Sequence, residues 1–596
     1  MKFPGCILMI LTFAVLAFFF MYLPDIRTFR TPKAIEKNMT AKDALLCGLI
    51  TLFYAAAAFA NLGSLSDPET FTAFERGGSV MLELESASEV DAVLMYTGIN
   101  TGNYSVAFSE NGEDFYTAAE LDQDYAAILK WQEPELICAP GTRARYVRIS
   151  VVSGSPRLGE VALFQGGEKL MFAVPTDAAA RMLCDEQDKV PEVVSYLNSS
   201  YFDEVYHVRT ALEHMEGMKP YEISHPPLGK LLISLGILLF GNVPFGWRFM
   251  GTLFGVMMLP AMYSFIKKID GGYLVPFCGT ALLASGFMHF TQTRIATIDT
   301  YAVFFIILMY CFMYRYVCDE QRSDLALSVV FFGLGAACKW TCIFAGAGLA
   351  FIWLVFRLYK LFIAEGDRRE KLKALALNIA WCMFFFVVIP GLIYYLSYFP
   401  YGIARGLKLP EMFFSGQYAK IVAENQSFML SYHEGVTASH PYSSKWYQWM
   451  LDIRPILYYL KYYPDGRYSS IADLVNPLIC WGGLAAMIML SVTAVVRKEK
   501  TAAFIAAGWI AQILPWVFVK RVVFEYHYFP ASVFLVLAIA YLFSVIRDRR
   551  EGRAVIIGFT AFSVLLFVLF YPVISGLPVD RASYSAWMSW LSTWPF

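Results

Sequence analysis

The chain has 596 residues, of which 57% are hydrophobic, 17% aromatic and 16% charged, with a mean hydropathy of +0.49. Soluble domains carry about a quarter charged residues, so this composition excludes an ordinary soluble enzyme and points to a polytopic helical membrane protein. The net charge of −1 hides a segregation: residues 65–225 hold 27 acidic against 11 basic side chains, and the rest of the chain is basic. No basic face large enough to track phosphates remains, which excludes a nucleic-acid partner.

Twelve apolar runs approach the roughly 20 residues that a helix needs to cross the hydrocarbon layer. They are 4–23, 43–62, 248–266, 272–289, 299–317, 324–339, 341–359, 375–397, 474–496, 501–519, 529–546 and 554–572. The first reads as a retained helix rather than a signal peptide, because Lys2 gives a thin positive region and no small-residue cleavage site precedes Pro24. Every second connector is basic: Arg27, Arg30, Lys33, Lys37 and Lys42, then Lys267 and Lys268, then Arg368, Arg369, Lys371 and Lys373. Arg497, Lys498 and Lys500, and finally Arg547, Arg549, Arg550 and Arg553, complete the set. The positive-inside rule therefore puts both termini and the long 63–247 segment outside, in a multi-pass protein of the cell membrane.

Between 63 and 175 the helical pattern gives way to period-two alternation. Val80, Leu82 and Leu84 alternate with Met81, Glu83 and Glu85, and Tyr104, Val106 and Phe108 lead into an Asn111-Gly112 turn. Val147, Ile149 and Val151 repeat the pattern, which predicts an exterior all-β sandwich or jelly roll. Within it, "GNYSVAFSENGEDFY" and "ARYVRISV…RLGEVALF" resemble discoidin-type (coagulation factor 5/8 C-terminal) domains. That resemblance implies a carbohydrate- or surface-binding module. Nine of the eleven cysteines lie in or beside apolar runs as small hydrophobes, and Cys138 and Cys184 alone sit in the polar segment, free to pair or not. No zinc spacing is present.

Residues 176–247 form the chemically suggestive loop. In "YFDEVYHVRTALEHMEGMKPYEISHPPLGK", Asp203 and His207 are four apart and share a helix face, with Glu204 pointing elsewhere. His225-Pro226-Pro227 ends any helix and turns the chain into "LGKLLISLGILLFG", too short to span and read as an interfacial helix. Polar groups at membrane depth are costly, so those present are default functional candidates. All seven histidines fall in exterior loops or at outer helix ends, as do Asp203, Glu204, Arg294, Asp299, Lys339, Lys520, Arg521 and Glu525. Arg294, Lys339 and Arg521 run against the positive-inside rule and suit an anionic ligand such as a lipid phosphate, with Arg294 ranked first. Trp340, Tyr442, Trp446 and Trp449 could stack on sugar or prenyl surface, and His440 and His527 read as site-lining. A divalent metal could use Asp203, Glu204 and a histidine, but no spacing fixes a ligand geometry, so no metal is assigned.

In order, "FDEVYH", "HPPLGK", "TRIATIDT", "CKWTCIF", "SHPYSSKWYQW", "NPLICW" and "FEYHYFP" resemble the protein O-mannosyltransferases, in particular the bacterial branch that uses polyprenyl-phosphate-mannose. The likeness runs from about 190 to the C-terminus and implies a GT-C fold, with 43–62 as the family's first helix, 248–397 and 474–596 carrying the others, and 398–473 a large exterior loop. Residues 1–42, an extra helix with its basic connector, and the β module are departures, as is the absence of a β-trefoil in 398–473. The resemblance further implies inverting transfer of a mannosyl residue from the lipid-phosphate donor to a Ser or Thr hydroxyl of a secreted or membrane protein, on the exterior face. By that resemblance Asp203 is the general base and Glu204 positions the acceptor or tunes its charge, with His207, His225, Asp299, Trp340, His440, Tyr442 and His527 lining the substrate. Arg294, Lys339 and Arg521 then hold the donor phosphate. A GT-C transferase acting on a lipid or cell-wall glycan is the alternative, and a sugar or lipid transporter a more distant one, since no internal repeat is evident.

Overall fold

The computed structural model describes residues 3–29, 38–363, 367–435, 437, 439–594 and 596. Arg30, Lys33 and Lys37 of the first basic connector lie outside the described residues. The chain divides into two compact units, one of Met1–Ala60, Gly217–Leu232 and Gly251–Phe596, the other of Asn61–Glu216 and Ile233–Met250.

Among the described residues, nine helices are long and apolar enough to cross a membrane: Pro4–Tyr22, Ala41–Phe59, Pro244–Asp270, Asp299–Asp319, Thr341–Ile363, Arg368–Ser397, Pro477–Arg497, Glu525–Ile546 and Arg550–Ser575. Each coincides with a predicted run. Local chemistry sets their ends. Thr40 and Asp43 form a reciprocal capping box ahead of Ala41–Phe59, and Asn476 caps Pro477–Arg497 with proline at its first turn. A π turn over Phe384–Val388 precedes Pro390, whose missing N–H would otherwise break Arg368–Ser397. The most enclosed helix is Phe529–Ile546, apolar and buried on every face.

The other three predicted runs come out differently. Residues 272–289 become Leu274–Ala284 and Phe287–Thr293, bent by 59° where Ser285-Gly286 interrupts the ladder. The 324–339 run forms Arg322–Cys338, 17 residues and therefore about 25 Å long, just short of the hydrocarbon thickness. The 501–519 run ends as a helix at Ile513, because Pro515 forces a 3₁₀ turn over Leu514–Val517. The short apolar helix expected after the His-Pro-Pro turn is Leu228–Phe240, 13 residues long.

The second unit holds two antiparallel sheets. Their strands are β1 (Thr72–Ala73), β2 (Ser79–Glu89), β3 (Ala92–Thr97), β4 (Gly102–Ser109), β5 (Tyr116–Gln123), β6 (Lys130–Gln132), β7 (Arg143–Gly154), β8 (Arg157–Gln165) and β9 (Glu168–Lys169). One sheet has the order β2-β7-β4-β5; the other runs β1-β8-β3-β6, with β9 paired to β8. The alternation is realised side chain by side chain: Val80, Leu82, Leu84, Tyr104, Val106, Phe108, Val147, Ile149 and Val151 are buried from one sheet, meeting Val93, Met95, Val161 and Leu163 from the other. At the β4–β5 turn, Asn111 Oδ1 accepts from the amides of Glu113 and Asp114 (both 2.9 Å), and Gly112 has φ +81°. All eleven cysteines are free thiols, Cys138 and Cys184 included.

Within 398–473 the chain forms helix Gly416–Gly435 and an antiparallel hairpin, β10 (Ile456–Tyr462) and β11 (Arg467–Asp473), joined through Pro464-Asp465-Gly466. Sequence reading missed the hairpin, although Pro-Asp-Gly between apolar runs is a turn signal.

Candidate active site

The acid-bearing helix, Glu204–Met215, belongs to the second unit. Asp203 occupies its N-cap position and is half-buried; its carbonyl accepts the amides of Tyr206 (3.1 Å) and His207 (3.2 Å), while its carboxylate does not cap the helix. Phe202, immediately before it, has φ +50°. A residue with a Cβ holds that left-handed conformation only where its surroundings fix it on both sides. His207, one turn along from Asp203, is buried.

Glu204 is fully buried and paired with an equally buried Arg248, Nε to Oε1 at 2.7 Å and Nη2 to Oε2 at 2.8 Å. The same guanidinium donates to the carbonyls of Leu62 (2.9 Å), Tyr196 (2.7 Å) and Ser199 (2.9 Å), so each of its five N–H groups meets an acceptor. Tyr201 donates its amide to Glu204 Oε2 at 3.1 Å. This geometry corrects the sequence expectation for Glu204. Its charge is neutralised inside the protein, and it locks the 196–204 turn that presents Asp203. Sequence reading passed over Arg248, counting it as the first residue of an apolar run; the logic that singled out Arg294, a cation at an outer helix end, applies to it equally.

The first unit contains a cavity of about 440 Å³. Its lining is amphiphilic. Trp340, Phe344, Leu430, Trp516, Phe518 and Val519 give an apolar surface, while Lys339, Lys520, Arg521, His225, His433 and His527 bring cationic or polar groups, with Glu434 and Thr341 beside them. Lys339 Nζ lies 2.7 and 2.8 Å from the two oxygens of Asp299, so those two predicted residues meet as a buried pair. Trp340 Nε1 donates to Tyr394 (3.0 Å), which fixes its ring. Arg521 bonds weakly to the carbonyl of Val522 (3.3 Å), and no carboxylate pairs with it or with exposed Lys520 among the described residues. Burial lowers the Arg521 guanidinium from its ordinary value; at such a pKa it still carries its charge.

The three histidines of the cavity differ. His225 Nδ1 lies 3.1 Å from Glu222 and 3.0 Å from Ser224, and burial lowers its pKa against the pull of Glu222. Glu222 also holds the buried Lys230. His433 donates from Nε2 to the Ser224 carbonyl (3.0 Å), leaving Nδ1 buried with no hydrogen-bond partner among the described residues. Burial, with His225 close by, brings His433 down to about 4, so the ring is neutral and its Nδ1 is an acceptor. His527 is stacked between Tyr526 (4.3 Å) and Trp449 (6.0 Å). Sequence reading counted His433 and Lys520 among the exterior polar groups without nominating either.

Three nominated residues lie elsewhere. Arg294 donates to the carbonyls of Ala58 (3.0 Å), Ala60 (2.8 Å) and Ser575 (3.5 Å), at the C-terminal ends of Ala41–Phe59 and Arg550–Ser575. A cation there satisfies orphan carbonyls and opposes the helix dipoles. Arg294 does not line this cavity. His440 is exposed and accepts the amide of Tyr442 (3.2 Å), so both close their own turn beside Phe524.

For a metal, the described residues bring one carboxylate trio within bridging reach, Glu160, Asp185 and Glu186 of the β module. Protein donors already serve them: the Glu186 amide on Glu160 (3.0 Å), the Thr70 hydroxyl on Asp185 (3.2 Å) and the Thr70 amide on Glu186 (3.0 Å).

Residues 224–394 match the family model for dolichyl-phosphate-mannose-protein mannosyltransferase, and 418–594 match that for the C-terminal four TMM region of protein-O-mannosyltransferase. The polyprenol-phosphate-mannose–protein mannosyltransferase of Mycobacterium tuberculosis is 25% identical over 438 residues, covering 62% of this chain and 81% of the relative. Its counterpart in Mycolicibacterium smegmatis is 24% identical over 458 residues, covering 66% and 87%. Among solved structures, the S. cerevisiae protein O-mannosyltransferase Pmt1-Pmt2 complex bound to the sugar donor superposes with a TM-score of 0.57 at 14% identity, over 67% of this chain and 89% of that one. The membrane part thus has that fold.

Proposed function

Because the chain belongs to the protein O-mannosyltransferase family, we propose that it transfers a mannosyl residue from a polyprenyl-phosphate donor to Ser or Thr hydroxyls of exported proteins, with inversion, on the outer face of the cell membrane. The observation that carries this reading is the amphiphilic cavity: aromatic and aliphatic walls suited to a prenyl chain, with Arg521 and Lys520 on its lining and neither ion-paired to a carboxylate among the described residues.

In one displacement the acceptor oxygen bonds to C1 of the sugar as the C1–O bond to phosphate breaks. The Asp203 carboxylate takes the hydroxyl proton, a benefit of about 10²–10⁴-fold for a positioned base. Charge develops on the leaving phosphate. Fixed cations aimed at it stabilise the transition state more than the ground state, and Arg521, Lys520 and Lys339 fill that role. His433 Nδ1 and Trp340 supply an acceptor and a flat surface for the sugar.

Transfer of labelled mannose from polyprenyl-phosphate-mannose to a Ser/Thr-rich peptide, in membranes containing the protein, tests the reaction. Mass spectrometry of secreted proteins from a deletion strain separates a protein acceptor from a glycan acceptor: loss of hexose from Ser or Thr supports this reading, and unchanged glycopeptides with an altered lipid or wall glycan favour the alternative. A glycan partner for the β module would use the groove of about 820 Å³ lined by Glu110, Asn111, Asp114, Tyr116, Thr117 and Arg143.

A further inference from the structure

The β module grips the acid-bearing helix at both ends. On the N-terminal side, the corner that joins β5 to β6 bonds the two residues leading into the acidic turn. Ser200 donates its amide to the Leu129 carbonyl (2.9 Å) and its hydroxyl to the Ile128 carbonyl (2.6 Å), and the Trp131 amide donates to Ser199 Oγ (3.1 Å). The corner is itself tied to β3, since Lys130 donates its amide to Thr97 Oγ1 (3.2 Å). On the C-terminal side, Arg157 at the start of β8 makes a two-pronged bond to Glu216 (3.0 and 2.9 Å), the residue that closes helix Glu204–Met215.

Two left-handed residues flank these bonds, Leu129 (φ +54°) and Phe202 (φ +50°). Such conformations are strained and persist only where neighbours over-determine them. Here the neighbours are visible. Ser199 and Ser200 are pinned to the β module, Glu204 is pinned to Arg248, and Phe202-Asp203 is the short stretch between the two anchors.

We propose that the β module is the positioning frame of the general base: through Ser199, Ser200 and the Arg157–Glu216 pair it sets where the Asp203 carboxylate stands. An inserted domain that served as a tether or spacer would not need main-chain bonds to the residues three and four before the base. The inference rests on Asp203 being that base.

Transfer kinetics of the full-length protein test it. The Arg157–Glu216 pair is partly exposed, and such pairs add little to stability, so breaking it leaves the fold intact. Arg157→Glu should lower kcat about tenfold with donor KM and Tm unchanged, since sub-ångström displacement of a reacting group costs rate far more than binding. Ser200→Ala should lower kcat similarly at unchanged donor KM, with the modest fall in Tm that the loss of a buried hydroxyl bond brings. Arg157→Glu combined with Glu216→Arg should restore kcat to within about twofold. The proposal is overturned if both single variants keep wild-type kcat, if the Tm of Arg157→Glu falls in step with its activity, or if the double swap rescues nothing. Asp203→Asn run alongside distinguishes the failures: retained transfer in that variant removes the base assignment and this inference with it, whereas lost transfer beside wild-type clamp variants removes this inference alone.

Discussion

The Glu204–Arg248 centre and the cavity around Arg521 are built from the same residue types and end in opposite states. At Glu204 every donor of the guanidinium has an acceptor, both side chains are dry, and the pair has nothing left to offer a ligand. Around the cavity, among the described residues, no carboxylate pairs with Arg521 or Lys520, and His433 keeps a buried acceptor without a partner. Charge that is saturated holds a backbone in place, and charge left unsaturated beside a void is available for chemistry. The same contrast separates Arg294, which ties two helix ends, from Arg521.

The sharpest way to break this contrast is to open the saturated pair. Arg248→Met leaves a buried, unpaired carboxylate and should cost about 3–5 kcal/mol, read as a collapse of folded yield and Tm in detergent; wild-type Tm would show that the pair is not structural. Arg521→Ala should leave Tm unchanged and lower kcat/KM for the donor by roughly 10–100-fold, the worth of a charge-assisted bond of about 1.5–3 kcal/mol, with part of the loss in kcat; an unchanged kcat/KM would move the phosphate elsewhere. Arg294→Ala should do the reverse, lowering stability by about 1–2 kcal/mol through orphaned helix-end carbonyls while transfer per folded molecule persists. The smallest effect concerns pH. His433 stands at about 4 in the fold against about 6.5 when unfolded, so it adds no pH dependence above 6.5. Between 6.5 and 4 the unfolded chain binds a proton that the folded chain refuses, and stability falls. His433→Gln, which keeps a donor for Ser224, should flatten that part of the Tm–pH curve; an equally steep curve would assign the acid loss to other groups.

Periodicity revealed most of the architecture, because apolar runs and strand alternation are imposed residue by residue by what must be buried. Val80, Leu82 and Leu84 face the sandwich core as the alternation requires, and among the described residues nine of the twelve apolar runs form helices long and apolar enough to span. Where breaks depend on one residue's backbone, as at Gly286 or Pro515, hydropathy averages over them. The site was legible as a set of residue types, not as partners. Nothing in the local sequence says that Glu204 finds an arginine 44 residues away or that Lys339 finds Asp299, since those pairings arise only from tertiary packing. Arg294 shows the same limit: a cation at an outer helix end looks the same in sequence whether carbonyls or phosphate await it.

The account stands on Asp203 as the group that takes the acceptor proton. Single-turnover transfer by the Asp203→Asn protein, loaded with polyprenyl-phosphate-mannose, tests this most directly. Donor binding and Tm should match the wild type while the transfer rate falls by about 10²–10⁴-fold; a rate within a few-fold of wild type, with donor bound, would contradict it.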